Sequence, residues 1–252
     1  MLKKILINIF LFIAANFIFA QTPQELIEQG NNYYKNNQFE EAIKSYRQII
    51  NDGYISAEVY YNLGNTYYRV GKLGYAILNY ERALKISPSD EDVIYNLKNA
   101  KARTIDRIEE LPEIFITEWW NLLLTSVTVE QWLIIVIIFF IIFLSFFAIF
   151  LTTHKINLRK ISFVFGSITL FILLLVGILL ISKINRETTY HYCILVENTQ
   201  PAKTSPNKQG DDAFVIHEGI KFEVEEYLDN WAKIKLSDGK VGWIPNGSFE
   251  KI

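Results

Sequence analysis

The sequence predicts a multi-domain membrane protein in which an all-α repeat domain, a two-helix transmembrane hairpin and a small all-β barrel follow one another. Three observations support this prediction. A motif recurs near the N-terminus, two long runs without charge occupy the middle, and short alternating segments fill the last quarter. Half of the 252 residues are hydrophobic and only 21% are charged, which is an apolar composition for a soluble protein.

The two apolar runs, 132–151 and 161–181, predict transmembrane helices. Neither run contains Asp, Glu, Lys or Arg. A helix of about twenty apolar residues crosses the roughly 30 Å hydrocarbon layer of a bilayer. The alternative is a pair of buried helices in a large soluble core, but core helices rarely stay apolar on every face for this length.

The first twenty residues predict a secretory signal peptide. Lys3 and Lys4 precede an apolar stretch that ends at Ala20, after which we expect any cleavage to occur. Such a segment exports the chain from residue 21 onward.

The loop 152–160, TTHKINLRK, predicts the orientation of the hairpin. It carries Lys155, Arg159 and Lys160, and short basic loops stay in the cytoplasm. The signal peptide indicates the same orientation. We therefore expect an inner-membrane protein whose N-terminal and C-terminal domains both lie in the periplasm.

The N-terminal segment contains an internal repeat. The sequence GNNYY from Gly30 matches GNTYY from Gly64, and in the same register Ala42 pairs with Ala76 and Tyr46 with Tyr80. This spacing resembles the tetratricopeptide repeat (TPR) family, with repeats at 23–56 and 57–90 and a capping helix at 91–110. Gly64 and Ala76 would let two helices approach closely while Tyr67 and Tyr80 fill the gaps.

The repeat period also predicts a peptide-binding groove. Amides can bond both polar groups of an extended backbone, and cations can hold carboxylates, so the pattern suits a partner peptide with acidic groups. The alternative is a solvated face whose repeats look alike. The candidate residues are Asn31, Lys35, Asn62, Asn65, Arg69, Asn96, Asn99 and Arg103.

Residues 111–131 predict an interfacial segment between the repeats and the first span. Trp119, Trp120 and Trp132 suit the membrane interface, so we expect an amphipathic helix over 113–127 on the outer leaflet. The alternative is packing of this segment against the repeats.

Residues 190–252 predict the small all-β barrel. In WAKIKL the residues Ala232, Ile234 and Leu236 share one face, and we expect Asp238-Gly239 to form a two-residue hairpin turn. The motifs F-x-I-x-x-G, W-x-K-I and D-G-x-x-G-W-I resemble a bacterial SH3 domain. Its exposed aromatic residues could bind peptide or peptidoglycan stems, or Trp231 and Trp243 could be purely structural.

Catalysis is not predicted. His191 and Cys193 share a strand face and form the one conceivable nucleophile pair, but no motif places a third catalytic group beside them. No metal-ligand spacing or phosphate loop occurs, so we expect no metal and no cofactor. We expect Cys193 to be a small buried hydrophobe. The net charge of −2 argues against nucleic acid as a partner.

The order of these parts resembles the BatE family, the E proteins of the aerotolerance operon of Bacteroides and relatives. The resemblance implies an inner-membrane assembly with Bat proteins of von Willebrand factor A type and a MoxR-class ATPase. We therefore expect a non-enzymatic envelope scaffold that binds partner proteins. The alternatives are a cell-wall sensor that binds peptidoglycan through its SH3 domain and, more remotely, a thiol enzyme using Cys193.

Overall fold

The computed structural model describes residues 22–107, 115–189 and 191–252, in the order helical domain, apolar helical hairpin and β domain. The predicted signal peptide, 1–20, lies outside the described residues. The helices are α1 (Pro23–Lys35), α2 (Phe39–Asn51), α3 (Ala57–Arg69), α4 (Leu73–Ile86), α5 (Glu91–Ala102), α6 (Phe115–Ser126), α7 (Val129–Thr152) and α8 (Ile156–Thr189). The strands are β1 (His191–Leu195), β2 (Thr199–Lys203), β3 (Asp212–His217), β4 (Lys221–Leu228), β5 (Trp231–Leu236), β6 (Val241–Pro245) and β7 (Phe249–Lys251).

Three of the five helices in the helical domain, 22–107, begin with a side-chain cap. Thr22 and Glu25 form a reciprocal capping box at α1, and the Ser56 and Asp90 side chains accept backbone hydrogen bonds at the starts of α3 and α5. These caps satisfy N–H groups that the first turn of a helix leaves without a partner. The helix boundaries are thus set by short-range sequence.

In each repeat, a glycine of the first helix lies against a tyrosine of the second helix, as the sequence predicts. A Cβ atom on Gly30 would lie 2.6 Å from Tyr46 Cε1, and one on Gly64 would lie 2.7 Å from Tyr80 Cε1. Both tyrosines are buried, and so is Ala76 beside Gly64. The predicted role of Gly64 and Ala76 in close helix approach is confirmed.

The prediction that the capping helix extends to residue 110 is wrong. Helix α5 ends at Ala102, where the Thr104 hydroxyl donates to the carbonyl oxygen of Lys101 at 2.8 Å. Asp106 then binds His217 of the β domain, accepting from its backbone N–H at 2.6 Å and lying 2.9 Å from its Nδ1 atom. The chain therefore leaves the helix before residue 110 and contacts the β domain instead.

Helices α7 and α8 form an antiparallel pair, both longer than predicted. Trp132 packs with Val176 and Leu180 at one end, and the Phe146 and Phe165 rings stack nearer the other, with centroids 5.8 Å apart. The predicted loop of 152–160 is too long, because Ile156 already begins α8 and leaves Thr153–Lys155 as the connection. Both helices are long and apolar enough to cross a bilayer.

The described part of the interfacial segment forms helix α6. Its Asn121 Oδ1 accepts a hydrogen bond from Arg186 Nη1 of α8 at 2.9 Å, while Trp119 is 72% exposed and Leu124 is buried. The helix therefore lies beside the end of α8 where the hairpin opens. Its predicted extent, 113–127, is close to the observed Phe115–Ser126.

The β domain is one antiparallel sheet with the strand order β3-β2-β6-β5-β4-β1-β7. Ala232, Ile234 and Leu236 are buried on one face, as predicted, and Lys233 on the other face forms an ion pair with Glu225 at 3.2 Å. The alternating pattern of β5 therefore fixes which face packs in the core.

The hairpin between β5 and β6 differs from the predicted two-residue turn. Leu236 pairs with Lys240 and accepts a bond from the Gly239 N–H at 2.9 Å, which leaves three residues in the loop. Gly239 has φ +88°, the left-handed conformation that closes a three-residue loop with a bulge.

Candidate functional site

The amides predicted to line the groove hydrogen-bond to one another along the first helices of the repeats. Asn62 Nδ2 of α3 donates to Asn31 Oδ1 of α1 at 3.2 Å, and Asn96 Nδ2 of α5 donates to Asn65 Oδ1 of α3 at 2.9 Å. The second contact repeats the first one, displaced by one TPR unit. We call Asn31, Asn62, Asn65 and Asn96 the amide ladder.

The amide ladder also connects the two helices of each repeat. The Tyr46 hydroxyl donates to Asn31 Oδ1 at 2.6 Å, and the Tyr80 hydroxyl donates to Asn65 Oδ1 at 2.7 Å. Burial raises the pKa of both tyrosines well above its usual value, so both hydroxyls remain donors. Buried donors need acceptors. The two hydroxyls therefore occupy Oδ1 of Asn31 and of Asn65, two atoms that the sequence analysis assigned to a bound peptide.

Two of the three predicted basic residues, Arg69 and Arg103, stack on aromatic rings. The Arg69 guanidinium carbon is 5.4 Å from the centroid of Phe39, and that of Arg103 is 4.9 Å from the centroid of Tyr68. Cation–π contacts of this kind hold the guanidinium planes while leaving their N–H groups outward. Lys35 at the end of α1 is exposed.

Part of the ladder's hydrogen-bonding capacity is still open. Within the residues that the structure describes, the Nδ2 groups of Asn31 and Asn65 donate no hydrogen bond, and the Oδ1 atoms of Asn62 and Asn96 accept none. Asn99 is half-buried on α5. The face thus presents two amide donors and two acceptors, with cations at its edge.

A second functional feature, absent from the predictions, is the packing of the β domain on α4. Ile194 of β1 is fully buried and belongs to the hydrophobic core of the helical domain. A Cβ atom on Gly74 would lie 2.6 Å from the carbonyl oxygen of Leu195, and one on Gly219 would lie 2.7 Å from Ile77 Cδ1. We call this contact between α4 and the β domain the joint.

An ion triad lies beside the apolar contact of the joint. One Glu81 carboxylate oxygen accepts from Lys101 Nζ of α5 at 2.7 Å, and the other accepts from Lys221 Nζ of β4 at 2.8 Å. Burial alone would raise the pKa of Glu81, but the charges and hydrogen bonds of Lys221 and Lys101 lower the pKa to about 2. The triad therefore stays ionised at neutral pH.

Further polar contacts surround the triad. Arg82 forms an ion pair with Glu250 at 3.1 Å and donates to the carbonyl oxygen of Lys251 at 2.6 Å. The Gly74 N–H donates to Glu218 Oε2 at 2.9 Å. The joint thus combines an apolar centre with charged groups on both sides, which fixes its register.

The geometry around Cys193 does not favour a nucleophile. Cys193 is fully buried, and its Sγ atom lies 3.8 Å from the carbonyl oxygen of His191. Burial raises the pKa of the Cys193 thiol to about 11, so the thiol stays protonated at neutral pH. The prediction that Cys193 is a small buried hydrophobe is confirmed.

Comparison with known protein families identifies repeats in the helical domain. The tetratricopeptide repeat family model matches residues 57–90, and a second model described as TPR repeat matches residues 30–71. The chain therefore contains TPR repeats, as predicted. A comparison with curated protein sequences gives no significant match.

The triad makes the stability of the joint depend on pH. The pKa of Glu81 falls from an ordinary 4.5 to about 2 on folding, so the folded chain binds fewer protons than the unfolded chain. The contribution to the free energy of unfolding, on the order of 3 kcal/mol, is complete above the higher pKa and is lost as the pH falls toward the lower one. Hydrogen exchange of the α4 and β1 amides in the detergent-solubilised full chain measures this pH-dependent stability of the joint.

We expect Glu81→Gln to weaken this protection at neutral pH and to converge with wild type as the pH falls toward about 2. Glu28→Gln is the matched control, because Glu28 is exposed on α1. A Glu81→Gln variant with wild-type protection at neutral pH would show that the triad does not stabilise the joint.

Proposed function

We propose that this protein is a non-enzymatic, membrane-anchored scaffold whose TPR groove binds an extended, acidic segment of a partner protein. The observation that carries the proposal is the open half of the amide ladder, together with stacked cations at the repeat spacing. Amide donors and acceptors can bond an extended backbone, and guanidinium groups favour carboxylates.

The position of the β domain supports this use of the groove. The joint uses the second helix of a repeat, α4, whereas the amide ladder lies on the first helices, α1, α3 and α5. A partner segment on the ladder therefore does not compete with the β domain. We propose that the β domain is an SH3-like barrel, on the strength of its three sequence motifs, and that it braces the repeats.

The order of parts supports a setting in a Bat-type assembly. In that setting the partners to test are Bat membrane proteins of von Willebrand factor A type. The ladder and the cations would supply the contact with the partner, and the hairpin would hold the complex at the bilayer. No catalytic residue is needed for this role.

The groove is tested by removing cations whose loss leaves no buried polar group without a partner. Asn65 is unsuitable for this purpose, because its removal would leave the buried Tyr80 hydroxyl without an acceptor. We expect Lys35→Gln with Arg103→Gln to weaken capture of partners crosslinked in native membranes by about tenfold or more, since each charge-assisted contact contributes roughly 1 kcal/mol.

The control for this experiment removes two cations elsewhere. Lys72→Gln with Lys208→Gln makes the same change in charge at exposed positions outside the groove. Circular dichroism should be the same for both double variants and wild type. Capture of the same partners at wild-type yield by the groove variant would show that the ladder is a solvated face.

We propose that both domains lie on the periplasmic side of the inner membrane. Because the hairpin is antiparallel, the chain enters α7 and leaves α8 at the same end. The other end carries the basic residues Lys155, Arg159 and Lys160, which favour the cytoplasm. Several Trp residues near the open end suit an interface.

The orientation predicts the activity of alkaline phosphatase fusions. Fusions after Glu110 and after Ile252 should be active, because the enzyme folds only after export, and a fusion at Asn157 should be inactive. Western blotting of each fusion controls for its amount. An active fusion at Asn157 would reverse the proposed orientation.

A further inference from the structure

A cationic cavity lies where the helical domain, the open end of the hairpin and the β domain meet. Its volume is about 400 Å³, within the range of small-ligand sites. Helix α4 contributes one wall, α6 and the last turns of α8 contribute a second, and strands β1, β4 and β7 contribute the third. No residue of the amide ladder lines it, so it is separate from the groove.

The cavity carries a surplus of positive charge. Among the described side chains that line it, Glu81 is the one carboxylate, and the cations are Lys85, Lys183, Arg186, Lys221 and Lys251. Like charges held this close repel one another unless an anion sits among them.

The charge of Glu81 does not cancel this surplus. Both of its oxygens already hold ammonium groups, one from Lys221 and one from Lys101, which lies outside the lining. The carboxylate of Glu130, at the start of α7, interacts with Lys183 and offsets part of its charge. Lys85 Nζ donates to the Ile252 oxygen of the lining at 3.4 Å, and among the described side chains no carboxylate of the lining pairs with Arg186 or Lys251.

The cavity also has an apolar wall on the side of the hairpin. Leu84 and Pro88 of the helical domain face Leu122 of α6 across it. Lys183 and Arg186 follow directly after the apolar part of α8, and α6 exposes Trp119 and Leu122 beside them. Charge and apolar surface therefore meet at the level where lipid headgroups give way to acyl chains.

We propose that this cavity binds the phosphate headgroup of an anionic phospholipid, with the acyl chains lying along α6. The inference rests on the membrane anchoring proposed above. Phosphate oxygens accept charge-assisted hydrogen bonds from Lys and Arg, and Arg186 is already oriented by its bond to Asn121 Oδ1 at 2.9 Å. The bound lipid would connect the hairpin to the joint between the TPR and β domains.

The test variant removes two cations at the mouth of the cavity. Lys85→Gln with Lys251→Gln replaces each ammonium group with a neutral polar group and leaves the ion triad and the Arg186–Asn121 bond intact. Lys72→Gln with Lys208→Gln is the control, because it removes the same charge from exposed positions that do not line the cavity.

The measurement is native mass spectrometry of the full chain in neutral detergent micelles supplied with phosphatidylglycerol, phosphatidylcholine or inorganic phosphate. We expect the wild type and the control to retain one phosphatidylglycerol in preference to phosphatidylcholine. The cavity variant should bind phosphatidylglycerol about thirtyfold more weakly, or about fivefold for each cation lost.

Three results would overturn the proposal. One is equal retention of the two lipids by wild type, and another is unchanged binding in the cavity variant. The third is inorganic phosphate bound as tightly as the lipid, which would make the cavity a site for soluble anions. Recovery of the chain in the soluble fraction of cells would instead overturn the membrane anchoring, so the two failures are distinguishable.

Discussion

The packing of β1 against α4 is the contact on which the arrangement of the whole molecule depends. Burying Ile194 in the core of the helical domain removes an isoleucine from water, which contributes about 2 kcal/mol. The backbone of Gly74 allows the approach, because its missing Cβ leaves room for the carbonyl oxygen of Leu195. The Glu81 triad then fixes the register across the contact. The repeats and the β domain are thereby held together.

This contact also explains how so short a repeat array can be stable. Stacked repeats are stabilised by their neighbours, and two repeats with one cap leave much of α4 without a helical neighbour. The β domain covers that surface in place of further repeats. The first helices carry the amide ladder, so the β domain and the proposed binding site use different helices of the same repeats.

The sequence predicts the features that depend on local pattern. Repeat spacing places Gly64 against Tyr80, composition identifies the hairpin, and alternation in β5 selects the buried face. It does not predict the joint, because Glu81 and Lys221 lie far apart in the chain and no periodicity connects them. The sequence did contain one signal: Ala76, Ile77 and Leu78 are three consecutive apolar residues, which an amphipathic surface helix would not carry. The structure buries all three completely.

Repeat spacing is also a limited guide to single residues of the predicted groove. Repeat spacing correctly places the asparagines in rows, but it does not reveal that Asn31 and Asn65 accept from buried tyrosines. An amide beside a tyrosine at this spacing can support the fold, a ligand or both. The sequence also does not predict that the chain beyond α5 contacts the β domain, since that contact joins Asp106 to the distant His217.

The central claim, that the TPR and β domains form one rigid unit, is tested most directly by a distance between them. Spin labels at exposed positions 98 and 226, introduced by Lys98→Cys and Glu226→Cys in the full chain, report that distance by pulsed electron paramagnetic resonance. The account predicts one narrow distribution that broadens when Gly74→Val forces a side chain against the carbonyl oxygen of Leu195. A broad distribution in the chain with Gly74 intact would contradict it, because two domains on a flexible tether would give that result.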